Sequence, residues 1–235
     1  MLLPKKLLSG SPTLPRVAPF VIFILLTAGQ GKFGPASAYW FYLAKTLVGA
    51  WLILEIRPWV GEMRWAFSWE SVVVGIGVFG LWIGLSGEWG SQSFLWAKLG
   101  IANTPAKTDS IWDPQIQLGG FSGLTYFLLA IHVLGMTLVV PPLEEVFYRS
   151  FLYRYLANND FLSVPMNKFS AWPFVATVVV FGFSHDEWLA GILCGMAYQW
   201  LVIRKNRLGD AMTAHAITNF LLGTWVVWKH QWQYW

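Results

Sequence analysis

The chain has 235 residues, of which 56% are hydrophobic and 12% charged, and it carries 16 Trp. A soluble domain carries about 25% charged residues, so the composition excludes an ordinary soluble protein and points to an integral membrane protein of one compact helical domain over 1–235. The formal net charge is only +4, with the cations set between hydrophobic runs. That distribution excludes a nucleic-acid binder and suits a chain whose cations set membrane topology.

Seven apolar segments follow in chain order. The first covers 17–28 and is short for a bilayer span of roughly 20 residues. The second, 36–56, contains Lys45, which is expected to snorkel or to pair with Glu55. The third, 71–86, is rich in Gly. A polar stretch at 87–119, with Asn103, Pro105, Asp109, Asp113 and Pro114, reads as a loop that carries at most a short interfacial helix or a cryptic extra span. The fourth, 120–140, ends at Pro141-Pro142, and the helical "LEEVFYRSFLYRYL" run continues beyond it. The fifth, sixth and seventh cover 171–185, 189–203 and 211–229. The expected fold is all-α, a polytopic transmembrane helical bundle of about 7–8 membrane helices.

The opening "MLLPKKLLSGSPTLPR" lacks a clean apolar run before a small-residue cleavage site, so no cleavable leader is expected. With the N-terminus inside, eleven cations fall on inside segments: Lys5, Lys6, Arg16, Arg57, Arg64, Arg149, Arg154, Lys168, Arg204, Lys205 and Arg207. Four fall outside: Lys32, Lys98, Lys107 and Lys229. This bias predicts a cytoplasmic N-terminus in a bacterial inner membrane. The lone Cys194 cannot form an internal disulfide. Gly191 and Gly195 have the small-xxx-small spacing of close helix packing.

The stretch "PPLEEVFYRSFLYRYL", 141–156, concentrates charge in a chain that otherwise avoids it. Pro142 suits the first turn of a new helix, which is expected to place Glu144 and Glu145 in that turn. Consecutive helical residues point about 100° apart, so the two glutamates serve different faces. Glu145 and Arg149 have the favoured i,i+4 order of an ion pair. Glu144 is left for another task, and an ionisable group at membrane depth marks a functional site. His185, His215 and Asn219 are the next polar groups in apolar surroundings, with His215 and Asn219 on one helix face. Counting along antiparallel helices from the 158–170 loop puts Glu144 and His185 at similar depth, roughly 20 Å from the loop. Such a set suits hydrolysis by activated water. Glu144 acts as the base, His185 holds the water, and His215 and Asn219 donate to the oxyanion.

These residues resemble a known family. "EEVFYR" is similar to an EExxxR motif, "FGFSH" contains FxxxH, and "HAITN" matches HxxxN. In this order they resemble the CPBP family of CAAX-processing endopeptidases and bacteriocin-processing or self-immunity proteins, over about 141–223. The resemblance implies a helical, glutamate-dependent intramembrane protease. Glu144 would be the general base, His185 the water-binding partner, His215 and Asn219 the oxyanion site, and Glu145 and Arg149 supporting residues. It implies a peptide or protein substrate at the membrane and no cofactor. The 185–223 stretch also resembles the CAAX-protease-related proteins of exosortase (PEP-CTERM) sorting systems, which would make the substrate a sorted envelope protein.

Plainer readings stand beside these. Glu144 alone could cap a helix, and His215 and Asn219 could be interhelical glue. His185 could be an interfacial histidine beside Asp186 and Glu187, and His132 has no motif around it. Two His and a Glu could ligate zinc, although HExxH is absent. A non-catalytic membrane binding or immunity protein is the alternative from another class. Nothing in the sequence sets an oligomeric state.

Overall fold

The computed structural model describes residues 10–101 and 112–235. Lys5 and Lys6 of the cation count, with the rest of 1–9 in the opening stretch on which no cleavable leader is expected, and Asn103, Pro105, Lys107 and Asp109 of the polar stretch lie outside the described residues. Among the described residues the chain is all-α. In order come α1 (Leu14–Thr27), α2 (Ser37–Ile56), α3 (Trp69–Leu85), the short α4 (Gln92–Lys98) and α5 (Pro114–Leu118), and α6 (Gly123–Leu138). Then follow α7 (Val140–Glu145), a π-helical segment Val146–Leu152, α8 (Tyr153–Ala157), α9 (Ala171–Phe183), α10 (Trp188–Lys205) and α11 (Gly209–Lys229). Each expected apolar segment is thus a helix. Among its described residues the polar stretch holds two short α-helices, of seven and five residues, neither able to cross a bilayer at 1.5 Å rise per residue.

Local chemistry sets the boundaries. Ser68, Ser91 and Ser122 cap α3, α4 and α6 by accepting from the backbone N–H of Ser71, Phe94 and Thr125, which satisfies donors that the first turn leaves orphaned. Asn206, in the left-handed region at φ 53°, stops α10, and Arg204 and Lys205 occupy its last turn, where the dipole favours cations.

Among the described residues two helices are long and apolar enough to cross a membrane: Ser37–Ile56 and a continuous 35-residue run, Gly123–Ala157. Three shorter apolar helices accompany them, Leu14–Thr27, Trp69–Leu85 and Ala171–Phe183. Pro141 and Pro142 do not stop the 35-residue run. They fall in the first turn of α7, which needs no N–H, and the helix is interrupted only around Val139. This corrects the placement of the acids. α7 starts at Val140, so no acid lies in its first turn, and Glu144 and Glu145 sit at its C-terminal end.

The chain divides into two compact units, one drawn from Met1–Met63, Asp109–Phe147 and Asn219–Trp235, the other from Arg64–Thr108 and Tyr148–Thr218. In the first unit α2 packs on α1, α6 and α7. A cluster of Phe23, Val139 and Leu143 forms its core, with Ala50, Ile53 and Val140 against it. An aromatic layer lies beyond. His132 stacks between Tyr42 (3.6 Å) and Trp235 (3.9 Å), with the Trp112 edge at 4.6 Å. The Tyr39 hydroxyl donates to the Trp112 carbonyl. Arg16 and Glu62 form a two-pronged ion pair at 2.8 and 2.9 Å.

In the second unit α10 lies between α9 and α3. The expected small-residue packing is present. A Cβ on Gly191 would meet the Gly182 carbonyl at 2.9 Å, and one on Gly195 would meet Phe181 at 3.2 Å. One end of this unit gathers basic segments. Lys205 pairs with Glu70 at 2.6 Å, Asp210 accepts from Ser68 at 2.5 Å, and Asn206 accepts from the Asn167 N–H at 3.2 Å. Arg154, counted among the inside cations, is buried. Its guanidinium donates to the carbonyls of Val164 (2.9 Å) and Leu162 (3.1 Å) and so holds the loop after α8.

Candidate active site

Glu144, Glu145 and Asn219 belong to the first unit, and Arg149, His185 and His215 to the second. In the first unit Glu145 is fully buried, whereas Glu144 is half-buried. The Glu144 Oε2 atom is shielded from solvent and accepts no hydrogen bond among the described residues. A carboxylate oxygen in that state is costly unless a ligand or water completes it. Tyr42 and Lys45 of α2 lie within electrostatic range of the same carboxylate. Asn219 donates from Nδ2 to the Met136 carbonyl at 2.7 Å. This bond fixes the amide and occupies one of its two N–H groups, leaving the second for another acceptor.

In the second unit the motif residues gather around Phe181, the first residue of FxxxH. The Arg149 guanidinium lies 4.2 Å from the Phe181 ring centre, a cation–π contact worth more when desolvated, as here. The ring centres of His185 and His215 lie 4.7 and 6.4 Å from that of Phe181. His215 also stacks on Tyr198 at 5.1 Å, and the Tyr198 hydroxyl donates to Thr218 Oγ1 at 2.7 Å. The sequence reading assigned a role to His185 and none to Phe181, although the motif contains both. Just ahead of this cluster, the π-helical Val146–Leu152 segment carries Arg149, and such widened turns recur at functional sites.

His185 Nδ1 lies 2.8 Å from the Phe181 carbonyl. A carbonyl oxygen only accepts, so Nδ1 carries the proton, and in the neutral ring Nε2 presents its lone pair. This tautomer can accept a hydrogen from water.

The turn bearing His185 is held from a segment that sequence reading left as loop. Gln92, at the start of α4, donates from Nε2 to the carbonyls of Phe183 (2.8 Å) and His185 (2.7 Å). Its backbone N–H donates to the Asp186 carbonyl at 2.8 Å. Asp186 is exposed, while Glu187 tucks beside Gly90. Burial pushes the Glu187 carboxyl up to about 7, Asp186 adds to the rise, and a hydrogen bond from the Gly87 backbone opposes it. Among the described residues no group of three or more His, Cys, Asp or Glu side chains stands where it could hold a metal ion.

Lys45 does not reach Glu55. Ten residues apart on one helix, the two are separated by a rise of roughly 15 Å. Lys45 Nζ instead donates to Thr27 Oγ1 at 3.1 Å and sits over the Tyr42 and Phe23 rings at 4.4 and 4.6 Å.

Residues 126–221 match a family described as type II CAAX prenyl endopeptidase Rce1-like. Over that segment the chain is similar to the CAAX-type endopeptidases that this description names. The matched segment contains Glu144, Glu145, Arg149, His185, His215 and Asn219, and therefore all three motifs. The matched family and the two long apolar helices among the described residues are consistent with an integral membrane protein. No curated protein and no solved structure matches the chain.

Proposed function

We propose that this CAAX-protease-family chain is an endopeptidase that hydrolyses a peptide bond in a membrane-associated protein, using water activated by Glu144. The observation that carries the reading is the state of Glu144, an acid with a shielded, hydrogen-bond-free oxygen inside a segment that matches a protease family. Glu144 takes a proton from water as the oxygen attacks the scissile carbonyl carbon. His185 Nε2 accepts a hydrogen bond from the water's other O–H, which stays with the attacking oxygen, and so orients it. N–H groups of His215 and Asn219 donate to the oxyanion. The tetrahedral intermediate collapses, the C–N bond breaks, and Glu144 returns the proton to the leaving amine. Glu145 and Arg149 support the helix that carries the base.

The substrate is a prenylated C-terminal peptide or, following the exosortase-associated resemblance, a sorted envelope protein. The membrane is the bacterial inner membrane, with the N-terminus cytoplasmic. The mechanism needs no cofactor.

The test is cleavage of prenylated and unprenylated peptide libraries by purified protein in detergent. Glu144→Gln is expected to lower the rate by about 10²–10⁴-fold, with wild-type activity indifferent to a chelator. Activity lost to the chelator and restored by zinc would replace this mechanism with a metalloprotease. No cleavage by wild type would favour a non-catalytic binding or immunity protein.

A further inference from the structure

The first unit holds a buried cation that the proposed chemistry has not used. Lys45 lies in the middle of α2, a helix long and apolar enough to span the bilayer, yet its side chain is only 6% exposed. An ionisable residue in such a position calls for a partner. The packing of α2 shows which way Lys45 faces. A Cβ on Gly135 of α6 would strike Thr46 Oγ1 at 2.5 Å and Tyr42 at 2.9 Å. One on Gly49 would strike Val139 at 2.5 Å and Leu143 at 3.3 Å. The α2 face formed by Tyr42, Thr46 and Gly49 therefore presses on the chain immediately before Glu144.

Lys45 lies within this contact zone. Its ammonium donates to Thr27 Oγ1, whose own hydroxyl donates onward to the Phe23 carbonyl at 2.9 Å. Phe23, which flanks the ammonium, also packs in the core with Leu143. An ammonium has three donors, and among the described residues Lys45 uses one in a hydrogen bond. In the same unit, Glu144 Oε2 is shielded and accepts none among the described residues.

We propose that Lys45 is the charge partner of Glu144, a positioning residue that holds the proposed base in its ionised form. The inference rests on the Glu144 reading above. In an apolar setting a lone carboxyl favours its neutral form, which cannot take a proton from water, and a neighbouring cation reverses that preference. The two rings and the Thr27 hydroxyl secure the ammonium from the side while leaving donors unspent. Lys45 acts through Glu144 and does not touch the substrate.

The test uses the full chain in detergent and two readouts. Infrared difference spectra at pH 7, with the Glu144 carboxyl signal assigned by subtracting Glu144→Gln, report its charge state without any substrate. Wild type and Lys45→Arg should show an ionised carboxylate. Lys45→Met and the polar, uncharged Lys45→Gln should show a protonated carboxyl. On any peptide that wild type cleaves, Lys45→Met and Lys45→Gln should lose about tenfold or more in kcat with KM within about twofold, and Lys45→Arg should restore most of the rate. A carboxylate that stays ionised in both uncharged variants overturns the proposal, as does a Lys45→Arg rate as low as that of Lys45→Met. If wild type cleaves nothing, the protease reading fails, while the infrared result still decides the pairing.

Discussion

Single residues in this protein do work that their neighbours in sequence do not announce. Phe181 supports a guanidinium on its ring and fixes the His185 tautomer through its carbonyl. A short polar side chain in its place would lose the first contact and keep the second. Glu187, two residues beyond His185, shows how pH reaches this region. Its folded value of about 7 exceeds the ordinary 4.5, so between those values the folded protein binds more protons than the unfolded chain. Stability is then fully present below about pH 4.5 and declines as pH rises through 7. Glu187→Gln removes that decline. Thermal unfolding in detergent should show the variant gaining at pH 8 relative to wild type, by about 1 kcal/mol once solvent screening of this half-exposed group is allowed for, with little difference at pH 4.5. Equal shifts at both pH values would refute a titrating Glu187.

At the scale of elements, the notable piece is α4. Seven residues make it too short to be stable alone, yet Gln92 at its start makes three hydrogen bonds to the 183–186 turn. These bonds satisfy carbonyls at the end of α9 that have no helical donor. They also fix where His185 begins. Gln92→Met, which removes two of the three, should lower kcat about three- to tenfold at constant KM and leave the melting temperature nearly unchanged. Gln92→Glu should be worse, because a carboxylate would face two carbonyl oxygens. A parallel fall in melting temperature and KM would reduce Gln92 to a fold element with no bearing on the histidine. The π-helical Val146–Leu152 segment is the other element that composition could not announce, since its residues have the same apolar character as a regular α-helix.

At the scale of the whole molecule, the second unit gathers its basic segments in one place. Arg64, Lys168 and the 204–207 cluster occupy segments joined by the Lys205–Glu70, Ser68–Asp210 and Asn167–Asn206 contacts. The 87–92 and 183–187 turns meet each other at a separate place. The cation bias predicts that the first group faces the cytoplasm. Cys194 is buried, so the natural chain gives a quiet background for thiol labelling. Arg204→Cys should react with a membrane-impermeant reagent only from the cytoplasmic face, and Trp89→Cys only from the opposite face. The reverse pattern would invert the molecule in the membrane.

The sequence by itself determined the helices, because hydropathy and turn chemistry are local: each expected apolar segment became a helix within a few residues, ended by the Ser caps and by Asn206. It also pointed to the family that residues 126–221 match, because EExxxR, FxxxH and HxxxN are readable as strings, and it gave the glycine spacing of α10, because small residues four apart share a face. It misplaced Glu144 and Glu145 by a turn, since a double proline fits just inside a helix start as well as at a break. Only the tertiary structure decided where the charged and polar side chains end. It turned Lys45 toward Thr27 and the Tyr42 and Phe23 rings rather than Glu55, brought Gln92 to the His185 turn across 93 positions of chain, and sent one Asn219 N–H to Met136. The physical reason is range. Burial and backbone preference act on each residue where it stands, whereas an ion pair or a hydrogen bond between distant segments exists only after helices have packed, and no local pattern encodes which helices those are.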